Sequence, residues 1–271
     1  MMDGPSGKEI RESKLIKLYQ IIDSTCCMKV RFGLAEKRIA FDSVIVKSHQ
    51  FEQMRDDYRA LNPYGFMPTL VDGENVIIQS SVIQEYLDER FPEHPLRPAT
   101  PTGRAKMREW MRCEEEFLFK LVGTLTFHLM IKLRPQAYGL EQIQAWADEA
   151  PDRARAAIYL KGMTAPSDPV AVREAEQGFI PHLARLEKQL IAGGGPWICG
   201  ADFSLADISV ASIVDRLEDL GRTFLWADLP QVTAWYARIK DRPAFASAIA
   251  SPEDRLWGPN KPVPLAAVAS T

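Results

Sequence analysis

The stretch DSTCCMKVR, residues 23–31, sets Ser24 and the adjacent thiols of Cys26 and Cys27 where an apolar run gives way to a helical pattern. A disulfide between two neighbours at a helix start would be strained, because their side chains diverge. A zinc site needs three or four convergent ligands, and none of the four histidines stands at ligand spacing to Cys26 or Cys27. No metal is expected. Cys27 falls on the apolar stripe and reads as packing, while Cys26 is open to packing or to function. The remaining chemistry is the handling of a thiol. Ser24 or Thr25 is placed to cap the helix, and the free N–H groups of a first turn favour an anion. A thiol of pKa near 8.5 is only ~3% ionised at pH 7, and lowering it by about two units, ~2.7 kcal/mol, makes it mostly thiolate. The sulfur is either that of Cys26 or one brought in by a ligand.

The elements that would position this turn follow from local pattern. LIKLYQII (15–22) reads as a buried strand and residues 24–37 as a helix, with Cys27, Val30 and Leu34 facing in and Lys29, Arg31, Glu36 and Lys37 mostly facing out. FDSVIVK (41–47) is a second strand, and a polar helical segment spans about 50–60. MPTLVD (67–72) and NVIIQ (75–79) form a hairpin across Gly73, and SSVIQEYLDERF (80–91) is an amphipathic helix stopped by Pro92. The order β-α-β-α-β-β-α makes an α/β unit over residues 14–92, preceded by a tail at 1–13. Four prolines within 92–103 predict a linker, taken as 93–103. A helical unit over 104–255 follows, clearest at 103–133, 179–191, 204–220 and 229–240, and then a tail at 256–271. DFSLADI (202–208) carries a capping box, Ser204 with Asp207. Residues 134–178, with Pro135, Pro151, Pro166 and Pro169, are long for a helix connection and read either as a cover for a cleft or as surface elaboration.

Composition bounds the function classes. With 46% hydrophobic and 25% charged residues the chain has the make-up of a globular protein, and a net charge of −3 gives no electrostatic reason to expect nucleic acid or an anionic membrane. The apolar stretch LVGTLTFHLMI, between Lys120 and Lys132, is too short to span a bilayer. The opening residues hold no apolar run of secretory type, and four cysteines without a disulfide framework suit a reducing compartment. A soluble cytoplasmic protein is the expectation.

Four segments together resemble the cytosolic glutathione transferases. STCCMKVRFGLAEK (24–37) is similar to the serine-then-cysteine signature of the zeta class, and LNPYGFMPTLVDG (61–73) to the stretch with a cis-proline, here Pro68. IQSSVIQEYLDERFP (78–92) matches the glutamine–serine pair that opens the helix holding the γ-glutamyl end, and DFSLADI the capping box of the helical domain. The resemblance implies a thioredoxin-like N-terminal domain followed by an all-α C-terminal domain, with glutathione as co-substrate. It further implies that Ser24 donates to the glutathione sulfur, that Met67 pairs its backbone with the cysteinyl portion, and that Gln79 and Ser80 bind the γ-glutamyl carboxylate and amine. Gln53 would reach the glycine carboxylate; the neighbouring position, lysine in omega-like members, is Met54 here. The catalytic tyrosine of other classes and the omega-type Cys-Pro pair are absent. Cys26 aligns with the cysteine of the bacterial tetrachlorohydroquinone dehalogenase signature, so thiol–disulfide chemistry there stands beside Ser24-activated substitution.

Within the family, FEQMRDDYRALNPYGFMP, SVIQEYLDERFPEHPLRP and the insertion around AWADEAPDRARAAIYLKG resemble bacterial β-etherases, which cut the β-aryl ether bond of lignin-derived dimers. That chemistry requires an activated thiolate, in-line positioning and an apolar pocket for two aromatic rings. Trp110, Phe117, Phe127 and Tyr159 are the candidates to line it, with Phe119 and Trp146 as further aromatic material. Other readings are a reductive dehalogenase or isomerase using Cys26, and a non-catalytic subunit of the same fold. A homodimer is implied, and a heterodimer with a related chain is the alternative.

Overall fold

The computed structural model describes residues 16–250, so the expected tails at 1–13 and 256–271 lie outside the described residues, as do 14–15 and 251–255. The chain alternates β1 (Ile16–Gln20), α1 (Thr25–Glu36), β2 (Phe41–Ile45), α2 (Asp56–Leu61), β3 (Thr69–Asp72), β4 (Asn75–Ile78) and α3 (Ser80–Arg90). The four strands form one sheet in the order β2-β1-β3-β4; β1 pairs with β2 in parallel, and the other neighbours are antiparallel. Leu18 sits opposite Ser43 on one side and Leu70 on the other. β1 is buried on one face only: Ile16, Leu18 and Gln20 point in while Lys17 is exposed. Leu18 and Leu70 pack with Val30 and Leu34 of α1 and Ile83 and Leu87 of α3, and each fully buried leucine contributes about 1.5–3 kcal/mol.

The outward face expected for α1 does not exist. Lys29, Arg31 and Lys37 are all buried, because α1 lies between the sheet and the helical half. Each cation meets a partner there: Lys29 Nζ donates to Glu114 Oε2 at 2.6 Å, Lys37 Nζ to Asp88 Oδ1 at 2.9 Å, and Arg31 to Gln20 Oε1 and the carbonyls of Ile22 and Ala248. A spacing rule for amphipathic helices cannot anticipate a second packing surface supplied by residues 200 positions away.

The polar segment at 50–60 is two single turns, 48–50 and 52–54, followed by α2. Helix resumes at α4 (Pro101–Cys113), whose N-cap Thr100 accepts from the Gly103 N–H. The helix expected at 103–133 is broken by a π turn, Glu114–Leu118, before α5 (Phe119–Leu129). This turn puts Glu114 into the interior against Lys29. The insertion is helical: α6 (Arg134–Tyr138), α7 (Leu140–Glu149) and α8 (Arg153–Thr164) build a small core of Ile143, Ala147, Ala156, Leu160 and Met163 that closes on Phe51 and Met54 of the α/β half. α9 (Pro169–Ala192) begins ten residues before the expected helix, capped by Asp168, whose Oδ1 accepts from the Val170 and Ala171 N–H groups. α10 (Leu205–Asp219), α11 (Pro230–Lys240) and α12 (Pro243–Ala248) complete the domain. The capping box forms: Asp207 Oδ2 accepts from the Ser204 N–H at 3.0 Å, and Asp207 Oδ1 from the Trp235 indole and the Ile198 N–H at 2.9 Å. No helix among the described residues is long and apolar enough to cross a membrane.

Candidate functional site

Ser24 is the N-cap of α1, with extended backbone, and its Oγ accepts from the Cys27 N–H at 3.4 Å. A hydroxyl that accepts in this way still has a proton to give, to the neighbouring Cys27 sulfur or to a group beyond the helix end. Across from it the Met67–Pro68 peptide is cis. Gln79 precedes α3 at φ +70°, a left-handed conformation rare for a side-chain-bearing residue, and no side chain caps the first turn of α3. Two helix starts with free N–H groups thus open onto one cleft of about 620 Å³, within the ~300–1,000 Å³ common for small-molecule sites.

That cleft brings together Ser24, Cys26, Gln53, Met67, Pro68, Gln79, Ser80, Phe127 and Tyr159. Gln53 lies against the glycine turn before Pro68. Gly65 has φ +65°, and a Cβ there would stand 2.9 Å from the Gln53 carbonyl oxygen, so only glycine fits. The Gln53 side-chain Oε1 is buried without a hydrogen-bond partner. Met54, beside it, is buried against the insertion.

Three of the aromatic expectations are corrected. Trp110 is 1% exposed in the helical core beneath the Arg185 guanidinium, because the apolar face of α4 turns towards α10. Phe117 is about half exposed and stacks on His182 outside the cleft, carried there by the π turn. Trp146 likewise packs on Tyr138 and His49 rather than lining the cleft. The apolar wall comes from α5 and the turn after it: Phe119, Val122, Phe127, Met130 and Ile131. A Cβ at Gly123 would meet nothing within 4 Å, so that wall has a recess. His128 is held by the loop ahead of α9, its Nδ1 accepting from the Asp168 N–H at 3.2 Å.

Electrostatics favour an anion. Among the lining residues stand three guanidinium groups, Arg134, Arg155 and Arg216, against one carboxylate, Asp23. Arg216 is tied to Asp23, donating to its Oδ1 at 2.7 Å and its carbonyl at 2.8 Å. Arg134 and Arg155 come from the insertion and were missed in sequence; an arginine in a helical run is ordinarily a solvated one. Burial pushes the Cys26 thiol up, against the opposing pull of the Lys29 ammonium, and burial pushes Cys27 up to about 11. Neither protein thiol is set to ionise at neutral pH.

Comparison with known proteins agrees with this arrangement. Residues 18–95 match the family model of the glutathione S-transferase N-terminal domain, and residues 169–238 that of the C-terminal domain. Protein LigF of Sphingobium sp. is 30% identical over 85% of this chain and 91% of its own length. The crystal structure of the beta-etherase LigF superposes with a TM-score of 0.74, covering 86% of this chain and 98% of that one at 29% identity. The stringent starvation protein A homolog of Pasteurella multocida is 30% identical over 82% of this chain and 84% of its own, and glutathione S-transferase 3 of Zea mays 30% identical over 87% and 94%. With both halves matched, and with the free helix starts of α1 and α3 facing a cis-proline turn, the chain belongs to the glutathione S-transferase family, whose co-substrate is glutathione.

Proposed function

We propose that the chain is a β-etherase-type glutathione transferase, in which a glutathione thiolate displaces the phenolate of a lignin-derived β-aryl ether. In this reading the Ser24 hydroxyl and the free N–H groups of α1 hold the sulfur as an anion. The sulfur forms a bond to the carbon next to the carbonyl, the carbon–oxygen bond breaks, and the phenolate leaves with the electron pair. Met67 offers its backbone to the cysteinyl portion. Gln79 and Ser80 take the γ-glutamyl end at the start of α3, and Gln53 takes the glycyl end. Phe127 and Tyr159 flank the aromatic substrate. The enzyme works as a homodimer in the cytoplasm.

The observation that carries this reading is the meeting, in one cleft, of an N-capping serine hydroxyl and an apolar wall of α5 side chains. Similarity to a beta-etherase over nearly its whole length supports the ether as substrate. The upward push on the Cys26 thiol argues for Ser24-activated substitution over thiol–disulfide exchange. Because a stringent starvation protein A homolog stands at the same identity as the etherase, identity alone does not select the ether reading, and a non-catalytic role is kept as an outcome of the test.

Incubation of the purified chain with glutathione and a panel of β-aryl ether dimers, chlorinated quinols and a generic electrophile tests the proposal. The expected products are a free phenol and a glutathione thioether, with Ser24→Ala losing far more turnover than Cys26→Ala. The reverse ranking, with no conjugate formed, would reject substitution in favour of disulfide chemistry. Failure to take up glutathione at all would leave the non-catalytic reading.

A further inference from the structure

The insertion places a charge in the cleft that no carboxylate balances among the described residues. Arg134, the first residue of α6, is 5% exposed and lines the cleft. Its Nη1 donates to the Tyr159 hydroxyl oxygen at 2.9 Å, its Nε has no hydrogen-bond partner, and no carboxylate pairs with it among the described residues. The other cleft guanidiniums differ. Arg216 has Asp23, and Arg155 is exposed, resting on the Phe66 ring with Nη1 3.3 Å from the Tyr64 carbonyl. Around Arg134 stand His49 and Tyr138, neither an anion at neutral pH; burial and the Arg134 charge both hold the His49 imidazole below its usual range. Glu52, whose charge also reaches His49, is engaged by the Lys47 N–H at 2.7 Å and faces Arg55.

A buried charge without a counterion is the exception in folded proteins, which pair such groups or neutralise them, and a guanidinium cannot be neutralised. Its fork suits a planar two-oxygen anion. Tyr159 extends the site. Because its oxygen already accepts from Arg134, its own proton is free to be donated, and its ring is held edge-on by Phe51 at 6.0 Å and Phe127 at 6.4 Å. Charge, donor and aromatic wall converge on one kind of ligand.

We propose that Arg134 and Tyr159 form a carboxylate-binding site in the cleft, so that one of the bound substrates presents a carboxylate to the insertion. The carboxylate belongs either to the aromatic electrophile or to the glycyl end of glutathione. This inference rests on the transferase reading for its second substrate, but not for the anion itself.

Two measurements test it. On the wild-type chain, benzoate is expected to bind at least tenfold more tightly than benzamide by calorimetric titration without glutathione, a difference of about 1.4 kcal/mol. Equal binding of the two overturns the site, and this arm stands even if no ether is ever cleaved. In the second arm, Arg134→Gln and Tyr159→Phe are compared with wild type on matched β-aryl ethers with and without a ring carboxylate, and on glutathione against its glycyl ethyl ester. A tenfold or greater fall in the preference for the acid over the neutral ether assigns the site to the electrophile. The same fall in the preference for glutathione over its ester assigns it to the glycyl end. If neither preference moves in either variant, the proposal fails.

Discussion

At the scale of single residues, the site turns on where each polar group sends its hydrogen bonds. Ser24 takes one from its own helix, and in the proposed mechanism its hydroxyl gives one to the glutathione sulfur. Ser24→Ala should therefore raise the pKa of bound glutathione, followed as thiolate absorbance against pH, and lower kcat/KM about 10²-fold. It should also cost about 0.5–2 kcal/mol of stability through the lost cap, seen as an earlier urea midpoint. The Ser24 cap was legible because the capping residue and the helix start are neighbours in sequence. Arg134 was not. Nothing in RPQAY distinguishes a guanidinium that faces solvent from one roofed by a helix 25 positions further on.

At the scale of elements, one face of α5 walls the cleft. Phe119, Val122, Thr126 and Phe127 recur at helical spacing along the cleft, and Gly123 leaves a recess between them. Filling it by Gly123→Leu should raise KM for two-ring ethers tenfold or more while leaving glutathione affinity within about twofold. Thermal stability should hold or rise, since leucine is the better helix former by about 1 kcal/mol. The start of α10 makes a separate prediction. Burial pushes the Asp207 carboxyl from 3.8 up to about 6, against the donors that surround it. A folded-state pKa above the unfolded one means that this group's contribution is full below about pH 4 and is lost as pH rises to about 6. The urea stability of wild type minus that of Asp207→Asn should fall across that window, by up to about 3 kcal/mol, and level off above it. The capping box was plain in sequence because its members are three residues apart; the carboxyl's burial under Trp235, 28 residues on, was not.

At the scale of the whole molecule, the two halves are joined by two buried ion pairs and one half-buried pair as well as by apolar contact. Lys29 meets Glu114, Asp23 meets Arg216, and Glu36 holds Arg242 through both oxygens at 2.5 and 2.8 Å. Glu114→Gln strands an ammonium in the interior and should lower unfolding stability by about 3–5 kcal/mol in urea, whereas Lys29→Met with Glu114→Met should recover most of the loss. The β-α-β-α-β-β-α order and the helical second half could be read from periodicity alone. The covering of α1 on both sides could not, because its second partner is set by tertiary packing rather than by neighbours in sequence. The π turn at Glu114–Leu118 links this joint to the cleft. The turn takes up a single surplus residue in the helical path, and removing that residue would close it to ordinary α-helix and change how Glu114 is presented to Lys29. The acid that locks the halves and the first ring of the cleft wall, Phe119, thus lie on either side of one turn, so a loss of one amino acid here would be felt at both the joint and the cleft.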